Sequence, residues 1–248
     1  MSSYQVIVLA AGKGTRMDEP DLPKVMLPLG GVSIITHLLT ALHSLNLATK
    51  PILVVGYQQE KLREHLGESV LYAVQEQQLG TAHAVLAARE QVRSDNIIVL
   101  YGDMPFISTE SIRHLMAAHD THNSMLSMFT THVPHFENEY AVFNAFGRII
   151  RDDAGAVVRI AELKDATEEE KKITEINPGI YVFNTKWFWD NATKIQNINH
   201  QHEYYLTDSI EIAIQQGVQV HTLSIQPEEV FGINTRAEWE QASQNLTA

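Results

Sequence analysis

Residues 12–16, Gly12-Lys13-Gly14-Thr15-Arg16, place two glycines and two cations in one short stretch. Glycine lets the backbone turn sharply and approach a ligand closely, so that N–H groups can face phosphate oxygens. Lys13 and Arg16 add charge that complements a polyphosphate. Two familiar phosphate loops do not fit. A dinucleotide fingerprint requires a third glycine where Met17 stands, and a Walker A loop requires one where Ile7 stands. Pro23-Lys24 follows closely and brings a third cation to the loop. Asp103, in Leu100-Tyr101-Gly102-Asp103-Met104-Pro105, is a hard oxygen donor directly after an apolar run. Together these residue types could bind phosphate groups and a cation that neutralises them.

Such loops need elements to hold them. Residues 4–10 form a continuous, β-branched run that predicts a strand covered on both faces and ending at the glycines. Residues 51–55, 70–74 and 96–101 predict further strands. Ser33 is expected to cap a helix with Ile34, Ile35, Leu38, Leu39, Leu42 and Leu45 on one face. Residues 58–66 predict a helix stopped by Gly67, and residues 81–92 another. This alternation predicts an α/β fold, a Rossmann-like doubly wound, mostly parallel sheet with ligands at the carboxyl ends of its strands. The later chain is more mixed. Strands are expected at 124–131, 157–160, 180–183 and 218–223, helices at 109–119, 207–216 and 235–245, and a solvated excursion at 164–172.

The 30 acidic against 18 basic residues give a net charge of −12, which argues against a nucleic-acid partner and leaves room for a small anionic substrate. No cysteine is present, so disulfides and thiolate chemistry are excluded. The apolar run at residues 6–11 is too short for a signal or membrane span, and the expected setting is cytoplasmic, with no membrane partner. His114, His119 and His122 lack the spacing of a zinc helix and are expected at the surface.

The stretch Leu9-Ala10-Ala11-Gly12-Lys13-Gly14-Thr15-Arg16-Met17, followed by Pro23-Lys24-Val25, resembles the signature of sugar-nucleotide pyrophosphorylases. It is most similar to their N-acetylglucosamine-1-phosphate uridylyltransferase branch. The resemblance continues in order through Gln75-Glu76-Gln77-Gln78-Leu79-Gly80-Thr81, Leu100 to Pro105, Gly147-Arg148-Ile149, Glu162-Leu163-Lys164-Asp165-Ala166-Thr167, Glu175-Ile176-Asn177, Glu203-Tyr204-Tyr205 and Gly232-Ile233-Asn234. It covers nearly the whole chain.

The resemblance implies a nucleotide-diphospho-sugar transferase fold and one nucleotidyltransferase domain over 1–248, with a nucleotide-binding half at 1–105 and a sugar-binding half at 106–248. It implies transfer of a nucleoside monophosphate from UTP to a sugar-1-phosphate, forming UDP-N-acetylglucosamine and pyrophosphate. Arg16, Lys24 and Asp103 are the implied catalytic residues. Magnesium is the implied cofactor, on Asp103 and Asn234, since this ion takes one or two protein oxygens and completes its shell with water and phosphate. Nucleotide contacts are implied for Leu9, Ala10, Ala11, Gly12, Lys13, Gly14, Thr15, Gln75, Gly80 and Thr81. The amide of Gln75 can donate and accept at once, as the imide edge of uracil requires. The sugar is assigned to Tyr101, Gly102, Gly147, Glu162 and Asn177.

The sugar half also departs from the family pattern. Pro178 stands where threonine is usual, Ala82 where glycine is usual, and residues 131–146 form a longer connection without the P-x-G-Y pattern. The bifunctional relatives continue into a left-handed β-helix acetyltransferase, and with the sequence stopping at Ala248 no acetyl-transfer step is expected. A monomer or small homo-oligomer acting on small molecules follows. Another sugar-1-phosphate, cytosine or thymine as the base, or a binding domain without turnover remain alternatives. The joint presence of Arg16, Lys24, Asp103 and Asn234 speaks against the last of these.

Overall fold

Every residue of the first strand is buried, including Gln5, whose amide is satisfied by the Lys50 carbonyl and the Arg93 N–H. A computed structural model describes residues 2–12, 14–17 and 21–246 of the chain. Its strands are β1 (Tyr4–Leu9), β2 (Pro28–Leu29), β3 (Val32–Ser33), β4 (Ile52–Val55), β5 (Leu71–Val74), β6 (Asn96–Tyr101), β7 (Leu126–His132), β8 (Gly147–Arg151), β9 (Val157–Ala161), β10 (Glu175–Asn177), β11 (Tyr181–Asn184) and β12 (Val220–Ser224). The helices are α1 (Ile34–His43), α2 (Gln59–Leu66), α3 (Thr81–Ala87), α4 (Thr109–Thr121), α5 (Thr185–Ala192), α6 (Asp208–Gln215) and α7 (Arg236–Asn245).

All but β2 and β3 join one ten-stranded sheet in the order β5-β4-β1-β6-β11-β7-β10-β8-β9, with β12 beside β7. β5, β4, β1 and β6 are mutually parallel. β11 runs against both β6 and β7, so β7 and its parallel neighbour β12 again point the same way as β6. This central part is therefore mostly parallel, and β10, β8 and β9 extend it as an antiparallel flap.

The period-two geometry of the strands sorts their side chains into two cores. Val6, Val8, Leu53, Val55, Ile98 and Leu100 face a layer containing α1, α2, α4 and α7. Ile7, Leu9, Ile52, Val54, Ile97 and Val99 face α3, α5 and α6. Helices thus cover both faces, as the doubly wound reading requires. Among the described residues no helix is long and apolar enough to cross a membrane.

Several expectations need correction. Ser33 occupies the N-cap position of α1 without capping its backbone; its hydroxyl lies 2.6 Å from Thr36 Oγ1 and 3.0 Å from His65 Nε2. The helix expected at 81–92 stops at Ala87 and tightens into a 3-10 turn over Arg89–Gln91, a common way for helices to end. Segment 164–172 is largely exposed, as expected of a solvated excursion, but it is tied down at two points. Glu170 pairs with Arg159 and accepts from the Thr167 N–H at 2.9 Å, while Ala166 is buried. His119 is buried, with Nδ1 3.0 Å from Ser127 Oγ, and burial pulls its pKa down to about 4. The strands β8 and β10 and helix α5 are not among the elements expected from periodicity.

Candidate active site

The parallel strands end level with one another. Leu9 is in register with Val54 on one side and Tyr101 on the other, and Val55 is in register with Val74. The segments beginning at Ala10, Gly56, Gln75 and Gly102 therefore leave the sheet side by side. The chain places β4 and β5 on one side of β1 and then crosses to β6 on the other, so this edge is the switch point where a doubly wound sheet opens a crevice. The fit is close at Gly56, where a Cβ would stand 3.0 Å from the Ala11 carbonyl oxygen.

Three predicted residues from distant parts of the chain meet at this crevice. The Lys24 ammonium is ion-paired with Asp103 Oδ2 and donates to Asn234 Oδ1 at 2.7 Å. Lys24 begins a 3-10 turn (Lys24–Met26) anchored by buried Val25. Gly14, in the left-handed region at φ +61°, makes room for it: a Cβ there would lie 2.8 Å from Lys24 Cβ. Asp103 and Asn234 are held together through the backbone, the Ile233 N–H donating to the Asp103 carbonyl at 2.9 Å. α7 contributes as well. Thr235 and Glu238 form a capping box, and Glu238 Oε2 also accepts from the Asn234 N–H at 2.6 Å. A carboxylate and an amide oxygen thus converge on one cationic group. Both are hard donors, and the pair fits a magnesium ion that keeps water and phosphate in its other positions. Among the described residues no group of three or more His, Cys, Asp or Glu is placed to hold a metal.

Beside this trio lies a pocket of about 310 Å³ lined by Leu9, Ala10, Ala11, Gly12, Lys24, Gln75, Gly80, Thr81, Tyr101 and Asp103, among others. Most of the predicted nucleotide contacts are therefore brought together. A Cβ on Gly12 would meet nothing within 4 Å, so the loop is open to the crevice there. Arg16 is exposed on the turn Thr15–Met17, whose Met17 is buried beneath it, and among the described residues no hydrogen bond or ion pair engages its guanidinium. Lys13 lies outside the described residues. The Gln75 side chain is buried, and its Nε2 lies 3.0 Å from the Gly80 carbonyl and 3.1 Å from His83 Nδ1.

Three of the residues expected at the sugar, Gly147, Glu162 and Asn177, lie together. Asn177 is opposite Gly147 between β10 and β8, and a Cβ on Gly147 would lie 3.4 Å from Glu162 Oε1. Glu162 borders a second pocket of about 680 Å³ with Asp165, Tyr205 and Asp208. Burial pushes the Glu162 carboxyl above its usual range. Burial, then the charges of Glu162 and Asp103, hold the Tyr101 hydroxyl well above its own. Asn177 is already engaged: Oδ1 accepts from the Gly179 N–H at 3.0 Å, and Nδ2 donates to the Tyr181 hydroxyl at 2.7 Å. Gly102 does not line the first pocket; it packs behind it, with Ile35 Cδ1 3.2 Å from where a Cβ would be.

Some contributors were not singled out from sequence. Gln78 Nε2 donates to the Ala11 carbonyl at 2.5 Å and Glu203 lines the first pocket. Both sit inside the family-like blocks, which was the only signal available. The segment around Glu203 also braces Gly80. The Tyr204 N–H donates to the Leu79 carbonyl at 2.8 Å, its own carbonyl accepts from Ala82 at 2.9 Å, and Leu206 N–H donates to Thr81 Oγ1 at 2.9 Å. A Cβ on Gly80 (φ +114°) would lie 2.6 Å from the Tyr204 backbone. Gly80→Ala is therefore expected to cost roughly 2–4 kcal/mol from strain and overpacking. A thermal melt should fall by roughly 5–10 °C; an unchanged melt would show that the Tyr204 contact is dispensable.

Residues 6–171 match the family model of the MobA-like NTP transferase domain. The chain is 39% identical over 245 residues to the bifunctional protein GlmU of Desulfotalea psychrophila, covering 97% of the chain and 70% of that protein. It is 40% identical over 248 residues to the bifunctional protein GlmU of Geobacter metallireducens, covering 98% of the chain and 50% of that protein. The chain thus spans only about half the length of most of these curated relatives. A Bacillus anthracis crystal structure, assigned as a glucose-1-phosphate thymidylyltransferase in complex with sucrose, superposes with a TM-score of 0.75 at 19% identity, over 98% of this chain and 95% of that one. At that identity the likeness establishes the fold.

Proposed function

Because the chain belongs to the MobA-like NTP transferase family, we propose that it transfers a uridylyl group from UTP to N-acetylglucosamine-1-phosphate, giving UDP-N-acetylglucosamine and pyrophosphate. The observation that carries this reading is the convergence of Lys24, Asp103 and Asn234 beside the pocket lined by Leu9 to Gly12, Gln75, Gly80 and Thr81. The choice of base and sugar is supported by similarity to the bifunctional relatives and by the meeting of Gly147, Glu162 and Asn177.

The reaction is an in-line displacement. A phosphate oxygen of the sugar-1-phosphate attacks the α-phosphorus of the triphosphate, and the bond to pyrophosphate breaks on the opposite side. A phosphate monoester dianion is already a competent nucleophile, so no side chain has to remove a proton. The protein's part is positioning and charge neutralisation. Arg16, Lys13 and the backbone N–H groups of residues 12–15 hold the departing pyrophosphate. Lys24 draws the attacking phosphate against the α-phosphate, and Gln75 reads the base edge. Magnesium on Asp103 and Asn234 would supply charge stabilisation at the phosphate oxygens.

Pyrophosphate release over a grid of nucleoside triphosphates and sugar-1-phosphates tests the proposal; UTP with N-acetylglucosamine-1-phosphate is the expected best pair. The closest competition is expected at the sugar. Pro178 and Gly179 lie in a bulge where β10 gives way to β11 against β7. Proline has no N–H, so any backbone contact made there by the usual threonine is lost. One hydrogen bond in a buried site is worth about 1–3 kcal/mol. kcat/KM for N-acetylglucosamine-1-phosphate should still exceed that for glucose-1-phosphate and N-acetylgalactosamine-1-phosphate by roughly tenfold or more. Preference for either competitor would overturn the sugar assignment alone. No turnover with any pair would favour a binding domain.

A further inference from the structure

The Lys24 ammonium stands at the point where the oxygens of Asp103 and Asn234 converge, which is also the point a divalent cation would take. We propose that Lys24 is the resident counterion of this pair, and that a divalent cation binds there only by displacing its ammonium. This rests on the metal assignment made above. The backbone that carries the two oxygens does not depend on Lys24, because the Ile233–Asp103 backbone bond and the Glu238 carboxylate hold it on both sides. With side chains only 13% and 15% exposed, the Lys24–Asp103 pair leaves little room for water to screen a second charge. An ammonium 2.7 Å from Asn234 Oδ1 and a magnesium ion at about 2.1 Å from the same oxygen exclude each other, by size and by charge.

Displacement requires only the side chain to move. The backbone of Lys24 is pinned by buried Val25, and its Cβ is wedged over Gly14, whereas the rest of the chain has rotatable bonds and borders the open crevice beside Ala10 and Gly12. The released ammonium is then free to take a phosphate oxygen of the substrate. Metal and phosphate substrate therefore bind cooperatively, each favouring the Lys24 position that admits the other. Metal alone binds weakly, because it must break a charged pair with no phosphate to receive the lysine.

Mn2+ binding, measured by titration calorimetry and by EPR of the free ion in the absence of nucleotide, tests this. Lys24→Met removes the competing charge at similar length, and its Mn2+ dissociation constant is expected to fall by about tenfold or more, the scale of a lost charge-assisted bond. Lys24→Gln should shift in the same direction, and it provides the comparison if the methionine variant folds poorly. Mn2+ should also raise the melting temperature of either variant more than that of the wild type. Asp103→Asn should abolish the binding in every background. Unchanged or weaker Mn2+ binding in the Lys24 variants, with the Asp103 dependence intact, would overturn the displacement while leaving the metal assignment standing. Binding indifferent to Asp103→Asn would overturn both.

Discussion

An Asp103→Ala enzyme is expected to release no measurable pyrophosphate, even in excess magnesium, and to remain folded. The substitution removes the charged member of the Asp103–Asn234 oxygen pair. A neutral amide alone does not hold magnesium against water. The fold should tolerate the change because the contribution of Asp103 to its surroundings is largely through the backbone: its carbonyl accepts from Ile233, and that bond survives in alanine. Loss of the ion pair leaves the largely buried Lys24 ammonium without its counterion and is expected to cost about 3 kcal/mol, a fall of roughly 6–12 °C in Tm for a chain of this size. Pyrophosphate release beside a thermal melt checks both halves. Near-wild-type turnover would remove Asp103 from the metal site, whereas a collapsed melt would assign it a structural role.

Arg16→Ala and Lys24→Ala should each lower kcat by roughly a hundredfold or more, the usual scale for one electrostatic contact made in a transition state. Their side effects should differ, because the two cations sit differently. Arg16 is exposed on its turn, so its loss should leave the melting temperature unchanged and act mainly through the triphosphate. Lys24 is largely buried against Asp103, so its loss should lower stability and weaken sugar-phosphate binding as well. Lys24→Ala should thus combine slower turnover with tighter binding of the bare metal, a pairing expected of a residue that both competes with the cation and grips the phosphate. If both variants changed KM alone, the transition-state roles would be wrong.

The glycines illustrate how one residue type answers different demands. Gly12 faces open space, as a ligand loop requires, but Gly14 adopts the left-handed region and yields its volume to Lys24. Gly179 yields to the Tyr101 ring, whose Cε2 would stand 2.4 Å from a Cβ. All are glycines in sequence, and their reasons appear only when their neighbours do.

What the amino-acid order determined by itself was local. Mostly apolar runs rich in β-branched residues, such as residues 4–9 and 96–101, have no continuous polar face to present to water, so they become strands covered on both sides. The glycine-rich loop after β1 and Asp103 after β6 then had to lie at the carboxyl edge of a parallel sheet, and their charges pointed to phosphate and a cation. The short strands β8 and β10 were illegible, because the positions they bury include Arg148, Glu175 and Asn177, polar residues that an apolar pattern does not count. Tertiary structure alone decided which distant groups touch. Asn234 reaches Lys24 across 210 positions, through a capped helix and a backbone bond to Asp103. Asn177 finds its amide committed to Gly179 and Tyr181 by a bulge that no local pattern announces. Contacts of that range depend on how whole layers pack, and packing is a property of all the side chains at once, whereas a motif reports only its own few residues.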